Sequence, residues 1–230
     1  MKQTKPLSLK WLSEKLEAHY GKPTSLRTRD PFQLIIWESI GYLVDDEKRE
    51  GAFNALSAQI GLRPIDLLAA PLSDLIAITR LGGIHPELRA RRLKEIAQIT
   101  LTEFDGDLTN ALKLPPPKAI KALRQYPSIG EPGAEKILML TGTMPVLALD
   151  SNGLRVLLRL GFGKEKKNYS ASYKSAREAV ADQTGRDCEF LIGLHQLLRE
   201  HGKLTCKTTN PRCDNCPITE SCCYFVRRRQ

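Results

Sequence analysis

Apolar residues recur along this chain at intervals of three and four, the period of helices that bury one face. In the first such segment they are Leu9, Leu12, Leu16 and Tyr20. A second segment, 32–44, is apolar on nearly every face and follows Asp30-Pro31, a pair typical of a helix start, so we expect a central helix there. The same period predicts helices at 46–60, 72–79, 88–102, 118–124, 133–142, 151–160, 173–184 and 189–201.

The chain contains no convincing segment in which apolar and polar residues alternate with a period of two, so the predicted fold is all-α. The connecting segments are short and carry Gly or Pro, which favours a compact helical array over independent units joined by linkers. The stretch 161–172 is the exception, and its charged residues Lys164-Glu-Lys-Lys-Asn168 predict a solvated loop.

The composition indicates a globular protein with an excess of positive charge. Of 230 residues, 41% are hydrophobic and 27% charged, as in ordinary globular proteins, and 35 Lys and Arg against 26 Asp and Glu leave a net charge of +9. An acidic polymer is therefore a plausible partner. No apolar run approaches the roughly 20 residues of a membrane-spanning helix, and the N-terminus is too polar for a secretory signal. We expect a cytoplasmic protein with no membrane partner.

Four cysteines near the C-terminus carry the most specific pattern, Cys206-x6-Cys213-x2-Cys216-x5-Cys222. Four thiolates at such spacing suit a tetrahedral zinc site or a [4Fe-4S] cluster, and the spacing leaves both open. Cys188 lies apart and is expected to be a small core residue, while Cys223 follows a ligand directly and should point elsewhere.

Two further segments suggest chemistry. Tyr126-Pro-Ser-Ile-Gly-Glu-Pro-Gly-Ala134 predicts a turn that leads into a helix N-terminus, whose backbone amides can bind a phosphate. About twenty residues later, Leu149-Asp-Ser-Asn-Gly-Leu-Arg-Val156 places Asp150 at the start of a predicted helix. On the residues alone, a capping carboxylate is the favoured interpretation of Asp150.

Together, and in this order, the hairpin, the Asp150 segment and the cysteine spacing resemble the helix-hairpin-helix DNA glycosylases of the endonuclease III and adenine DNA glycosylase family. The resemblance implies a [4Fe-4S] cluster on Cys206, Cys213, Cys216 and Cys222. It implies two helical lobes: a six-helix barrel at 25–143 with its hairpin at 126–134, and a cluster domain of 1–24 plus 144–230 with its cluster loop at 206–222.

The implied function is base-excision repair by a monomer that is nucleoid-associated if bacterial. The enzyme would hydrolyse the N-glycosidic bond of a damaged or mismatched base flipped out of double-stranded DNA. Asp150 would face the sugar of that nucleotide, where a carboxylate stabilises developing positive charge or activates water. Its capping and catalytic roles can coexist.

Several positions depart from the family pattern. Pro132 stands where the bifunctional branch has a lysine, so the Schiff base needed for strand cutting cannot form there and we expect a monofunctional enzyme without lyase activity. Lys136, one turn further on, could substitute only if it were placed fortuitously. Ser128 replaces the first glycine of the hairpin, which puts its backbone geometry in question.

Glu38 matches the offset at which the adenine-removing branch carries its general acid. An apolar setting favours a neutral carboxyl that can donate a proton, but a pairing of Glu38 with an Arg or Lys is an equally good hypothesis. Tyr42 and Leu43 stand where both branches use a glutamine pair, so the pocket should differ from either. The chain stops soon after Cys222, without the C-terminal domain of adenine glycosylases, which disfavours adenine removal opposite 8-oxoguanine.

The expected DNA contacts come from several segments. An apolar wedge at Ile84 and His85 would fill the space that the flipped base leaves, although a core contact beneath a tight turn is nearly as good an interpretation of Ile84. The other expected contacts are Tyr42, Ile129, Gly130, Gly133, Lys207 and Arg212, with Arg89, Arg91, Arg92 and the triplet Arg227-Arg228-Arg229 as further cations. The triplet is expected to be disordered and to attract DNA without sequence preference.

A second hypothesis belongs to the class of binding proteins. Because Pro132 and the Tyr42 region both depart from known catalytic patterns, the chain could be an iron-sulfur protein that recognises lesion or distorted DNA with little or no glycosylase activity. The retention of Asp150 and Glu38 favours the enzyme.

Overall fold

The structure, a computed structural model, describes residues 7–228 and is all-α over this range, which confirms the predicted fold class. Its helices are α1 Leu9–Tyr20, α2 Pro31–Ile40, α3 Asp46–Gln59, α4 Pro64–Ala69, α5 Leu72–Leu81, α6 Pro86–Phe104, α7 Thr109–Leu112, α8 Pro116–Leu123, α9 Glu131–Leu140, α10 Ser151–Leu160, α11 Tyr169–Val180, α12 Cys188–Leu204 and α13 Cys223–Arg228. Short 3-10 turns lie at Ala181–Gln183, Cys213–Asn215 and Thr219–Ser221. Over the described residues, no helix combines the length and apolar character needed to cross a bilayer.

Short polar side chains begin many of these helices by accepting a hydrogen bond from an otherwise unpaired backbone amide. Asp30 accepts from the Gln33 amide at 2.8 Å, with Pro31 at the first helical position as predicted. The other side-chain caps are Ser8 of α1, Asp45 of α3, Asp150 of α10, Asn168 of α11 and Asp187 of α12.

Several predicted boundaries are wrong, among them the end of helix α11, which lies at Val180 instead of residue 184, and two of them have identifiable reasons. Helix α2 ends at Ile40 instead of residue 44, because the chain turns extended at Gly41 and the Tyr42 amide donates to the Gly82 carbonyl at 2.9 Å. Helix α11 begins four residues before the predicted start, because Asn168 caps it by accepting from the Ala171 amide at 2.8 Å. The short helices α4, α7 and α13 were not predicted, since four to six residues are too few to show a helical period.

The chain divides into two compact units, Leu26–Ile137 and the segments Met1–Ser25 with Leu138–Gln230. In the first unit α2 is central, with Ile35, Ile36 and Ile40 fully buried, and it packs on α3 and α6. In the second unit α12 packs on both α10 and α1, so segments from the two ends of the chain share one core.

Candidate functional site

Asp150 lies at the N-terminus of α10, where its two carboxylate oxygens have different partners. Oδ1 accepts from the Gly153 amide at 2.7 Å and so caps the helix. Oδ2 lies 3.3 Å from the Arg199 Nε and accepts from the Asn152 side chain at 3.3 Å. The side chain keeps 21% of its surface exposed. The capping role is therefore present, and it leaves the carboxylate partly accessible.

Tyr169 lies beside this carboxylate and donates its hydroxyl to the Leu149 carbonyl at 3.1 Å. Burial, and then the negative charge of Asp150, raise the pKa of Tyr169 to about 12. The Tyr169 hydroxyl therefore stays protonated at neutral pH, and it adds no negative charge beside the Asp150 carboxylate.

A chain of hydrogen bonds continues from Asp150 into the cysteine segment. Arg155 donates to the Asn152 side chain at 2.8 Å and to the carbonyls of Gly202 and Cys206, also at 2.8 Å. Helices α10 and α12 can approach this closely because residue 202 is glycine: a Cβ there would lie 2.7 Å from the Asn152 Cβ. No sequence pattern predicts Arg155, Arg199 or Tyr169 as part of this site, because only the fold brings them to the surroundings of Asp150.

Glu38, in the other unit, forms an ion pair with Lys136. The Lys136 Nζ lies 2.6 Å from the Glu38 Oε2, and the two side chains are 18% and 21% exposed. The pairing that the sequence analysis left open is thus present, and the partner is the lysine one helical turn beyond Pro132. With few exposed atoms, this pair is screened less than a surface pair.

The hairpin between α8 and α9 keeps the backbone form expected of glycine although residue 128 is serine. Ser128 adopts a φ of +69°, in the left-handed region that favours glycine. Ile129 is 5% exposed and its backbone amide donates to the Tyr126 carbonyl at 3.2 Å, so its side chain and its amide are both engaged within the hairpin. Gly130 is exposed at the start of α9, and Gly133 is half-buried, with Ile129 beside the position where a Cβ would lie.

Two short segments, 41–44 and 82–85, lie side by side and are called here the double loop. An isolated parallel bridge joins Tyr42 to Gly83. Tyr42, Leu43 and Ile84 are 51%, 77% and 48% exposed, and the His85 ring lies 6.4 Å from that of Tyr42. The structure thus places the predicted contacts Tyr42, Ile84 and His85 together and adds Leu43. The interpretation of Ile84 as a core contact is not supported.

One expected cation is placed differently. Arg89 is only 2% exposed and donates to backbone carbonyls of the double loop and the end of α2, so it cannot reach a phosphate as predicted. Arg91 is exposed on the same helix, and Arg92 is half-buried. Arg227 and Arg228 are helical in α13, contrary to the predicted disorder, whereas Arg229 lies outside the described residues.

The four cysteines Cys206, Cys213, Cys216 and Cys222 line one small cavity, together with His201 and Arg159. Burial, and then the charges of the other three thiols, raise the pKa of Cys216 to about 11, and burial also raises the pKa of Cys222. Such thiols give up their protons when a cation binds them. Within residues 7–228, no group of three or more His, Cys, Asp or Glu side chains is arranged to hold a metal ion.

The loop between Cys206 and Cys213 is tied to α10 by Arg159. Its guanidinium donates to the carbonyls of Lys207 and Thr208 at 2.8 and 3.2 Å and lies 3.3 Å from the Cys206 sulfur. Lys207 is half-buried and Arg212 exposed on this loop. Cys223 lies outside the cavity lining, as expected, and its thiol donates to the Leu160 carbonyl at 3.3 Å. Cys188, the first residue of α12, is half-buried and not fully in the core.

Comparison with known proteins gives a consistent group of relatives. Endonuclease III of Sulfolobus acidocaldarius is 28% identical over 201 residues, which cover 87% of this chain and 85% of that protein. Endonuclease III of Thermotoga maritima is 26% identical over 207 residues, covering 90% and 89%. A thymine/uracil-DNA glycosylase of Pyrobaculum aerophilum is 24% identical over 167 residues, covering 73% and 69%. No family model matches the chain.

Solved structures share the fold over nearly the whole chain. A trapped endonuclease III–DNA covalent intermediate superposes with a TM-score of 0.75 at 20% identity and covers 97% of this chain and 100% of that one. A thermostable thymine-DNA glycosylase superposes with a TM-score of 0.74 at 19% identity, covering 95% and 97%.

Proposed function

Because the chain belongs to the helix-hairpin-helix DNA glycosylase superfamily, we propose that it is a monofunctional enzyme of base-excision repair. It hydrolyses the N-glycosidic bond of a damaged or mismatched base that is flipped out of double-stranded DNA. The observation that carries this proposal is Asp150. Its carboxylate is fixed at a helix N-terminus by an amide and by Arg199, yet it remains partly accessible.

Asp150 is proposed to act on the sugar. As the bond between C1′ and the base breaks, positive charge develops on the sugar, and a fixed anion stabilises it. A water molecule then forms the new bond to C1′ and releases its proton to the carboxylate or to solvent. Because the carboxylate is already oriented by its amide and guanidinium partners, little reorganisation accompanies the reaction.

Glu38 is proposed to supply the proton that the departing base takes up. Its ion pair with Lys136, whose Nζ lies 2.6 Å from the Glu38 carboxylate, supports this role, because the lysine can return to Glu38 the proton that the base takes up. This pair also supports the absence of a lyase step, since a protonated amine held by a carboxylate is not a nucleophile.

A [4Fe-4S] cluster is proposed at Cys206, Cys213, Cys216 and Cys222. The donor set fits, because four thiols line one cavity. When bound, the cluster supplies a rigid covalent centre that holds the loop 206–222. Purified protein that is colourless and contains zinc instead of iron would contradict the assignment.

The test of the proposed function is a panel of duplexes that carry uracil, thymine opposite guanine, hypoxanthine, an alkylated purine or adenine opposite 8-oxoguanine. We expect strand breaks at one or more lesions only after treatment with alkali, and we expect Asp150→Asn to abolish them. The matched control is Asp187→Asn, which alters another aspartate cap of the same unit and should keep full activity. Tight binding without an abasic product on any duplex would instead support the binding hypothesis.

The proposal that the enzyme lacks lyase activity has its own test. Borohydride reduces a Schiff base between a lysine and an abasic sugar to a stable covalent bond. With Pro132 at the family's lysine position and Lys136 paired, we expect no trapped complex. Trapping that disappears in Lys136→Met would assign a lyase role to Lys136 and overturn this part of the proposal.

A further inference from the structure

The double loop presents four exposed side chains, and one buried side chain, that of Arg89, hydrogen-bonds to the backbone at both of its segments. Arg89 extends from α6 beneath both segments, and its guanidinium donates three hydrogen bonds. Nε donates to the Ile84 carbonyl at 2.9 Å and Nη2 to the Gly83 carbonyl at 2.5 Å, both in the second segment. Nη1 donates to the carbonyl of Ile40, which directly precedes the first segment.

These contacts are unusual for a charged residue. Arg89 is 2% exposed, and no carboxylate pairs with it within residues 7–228. Burial lowers the pKa of Arg89, but a guanidinium stays protonated in any protein. Its positive charge is therefore met only by backbone carbonyls, an arrangement that needs the planar fork of arginine and that a lysine ammonium cannot reproduce.

Two neighbouring residues, Gly82 and Thr79, support the same arrangement of the double loop. A Cβ at residue 82 would overlap the Ile40 carbonyl oxygen and come within 2.7 Å of the Arg89 guanidinium, so only glycine permits this close approach. Thr79, fully buried at the end of α5, donates to the Pro86 carbonyl at 2.9 Å and fixes the other side of the second segment.

The backbone of the double loop is strained at two residues. Leu43 has a φ of +53° and His85 a φ of +56°, conformations that residues other than glycine rarely adopt. Leu43 is also 77% exposed, although it is apolar. Strained, exposed apolar residues on adjacent loops indicate a surface that becomes buried against something else.

We propose that Arg89 is a positioning residue, which locks the two segments of the double loop into one rigid wedge that enters duplex DNA beside the target base. Separating stacked base pairs requires an apolar wedge that does not yield when it meets the stack. Leu43 and Ile84 supply the apolar surface, and Arg89 makes their two segments move together. This inference rests on duplex DNA as the partner in the proposed function, and it is independent of the excision step.

The experiment measures base opening without chemistry. In the Asp150→Asn background, a duplex with 2-aminopurine beside the lesion is titrated with protein, and the rise in fluorescence reports unstacking. The test variants are Arg89→Lys, which keeps the charge and loses the fork, and Gly82→Ala, which disturbs the same contact from the loop side. The control is Lys94→Met, which removes another α6 cation that binds a backbone carbonyl, that of Leu68 at 2.7 Å.

We expect the equilibrium constant for base opening, measured from the fluorescence rise at saturation, to fall by about fivefold or more in both test variants, because each variant disturbs the buried hydrogen bonds of Arg89. Affinity for undamaged duplex should change by less than about twofold, because phosphate contacts elsewhere supply it. Lys94→Met should behave as the parent. Thermal unfolding of all variants separates loss of fold from loss of positioning.

An unchanged fluorescence rise in Arg89→Lys would overturn the inference, as would an equal loss in Lys94→Met or a parent protein that opens no base. A protein that opens bases but leaves no abasic product on any lesion would sustain the inference while the proposed glycosylase activity failed. The two proposals are thus tested separately.

Discussion

At the scale of single residues, the side chains around an aspartate distinguish the candidate catalytic Asp150 from an ordinary helix cap. Asp150 and Asp187 are both aspartates at helix N-termini, and each accepts a backbone amide hydrogen bond. Only Asp150 also has Arg199 and Tyr169 around it, and neither of these lies near it in the sequence. The motif therefore identified the carboxylate, and only the fold identified its surroundings.

Arg199 should orient the Asp150 carboxylate. Because Oδ2 lies 3.3 Å from the Arg199 Nε, we expect Arg199→Met to lower the single-turnover rate about tenfold or more while substrate affinity changes little, since misplacing a catalytic group by about 1 Å can cost on the order of 100-fold. Arg199→Lys should recover part of the rate. Equal losses in rate and affinity would point instead to a disturbed fold.

Tyr126 should make the stability of its unit depend on alkaline pH. Burial raises its pKa to about 12, and its hydroxyl hydrogen-bonds the Thr100 hydroxyl at 2.9 Å. The folded state therefore favours the neutral phenol, so its contribution is complete below pH 10 and declines as pH rises towards 12, by about 1.4 kcal/mol per unit.

Urea unfolding of Tyr126→Phe measures this effect. At pH 8 the variant should be less stable than the parent by about 1 kcal/mol, the contribution of the lost hydrogen bond. At pH 11 this deficit should shrink or reverse, because phenylalanine does not ionise. A deficit that is the same at both pH values would show that Tyr126 does not titrate between them.

At the scale of elements, the hairpin shows how a substitution is accommodated. Ser128 has a φ of +69°, so the turn keeps a left-handed backbone conformation that residues with a Cβ rarely adopt. We expect Ser128→Gly to raise the free energy of unfolding by up to about 1 kcal/mol, the relief of left-handed strain less the added freedom of the unfolded chain. Ser128→Val, which is β-branched, should lower it, and urea unfolding measures both.

Long helices were predicted well from the sequence, and the elements set by contacts between distant residues were not. The 3.6-residue period identifies α1, α3 and α10, whose buried faces are continuous. The end of α2 depends on a bridge to Gly83, and the burial of Arg89 depends on carbonyls from two loops. A local sequence pattern does not report such contacts, so the Arg-rich segment 89–92 predicts exposed phosphate ligands although Arg89 is buried.

At the scale of the whole molecule, the second unit should depend on its cluster and the first should not. The four cysteines lie in the unit of α1 and α10–α13, whereas Leu26–Ile137 has its own core of buried Ile and Leu side chains. We expect removal of iron to accelerate hydrogen exchange at 205–222 and in α10 by about tenfold or more while exchange in α2 and α6 is unchanged, because metal-binding energy is folding energy for the part that binds it.

Cys222 and Cys223 are adjacent in the sequence, so a shift of the chain by one residue would place the Cys223 sulfur where the proposed cluster needs that of Cys222. The fold separates them. Cys223 is held against the Leu160 carbonyl, in a space that exists because residue 161 is glycine: a Cβ there would lie 3.1 Å from its sulfur. Gly161 thus leaves room for the Cys223 thiol beside Leu160, apart from the four thiols proposed as cluster ligands, and a larger residue at 161 would push the Cys223 sulfur out of this place.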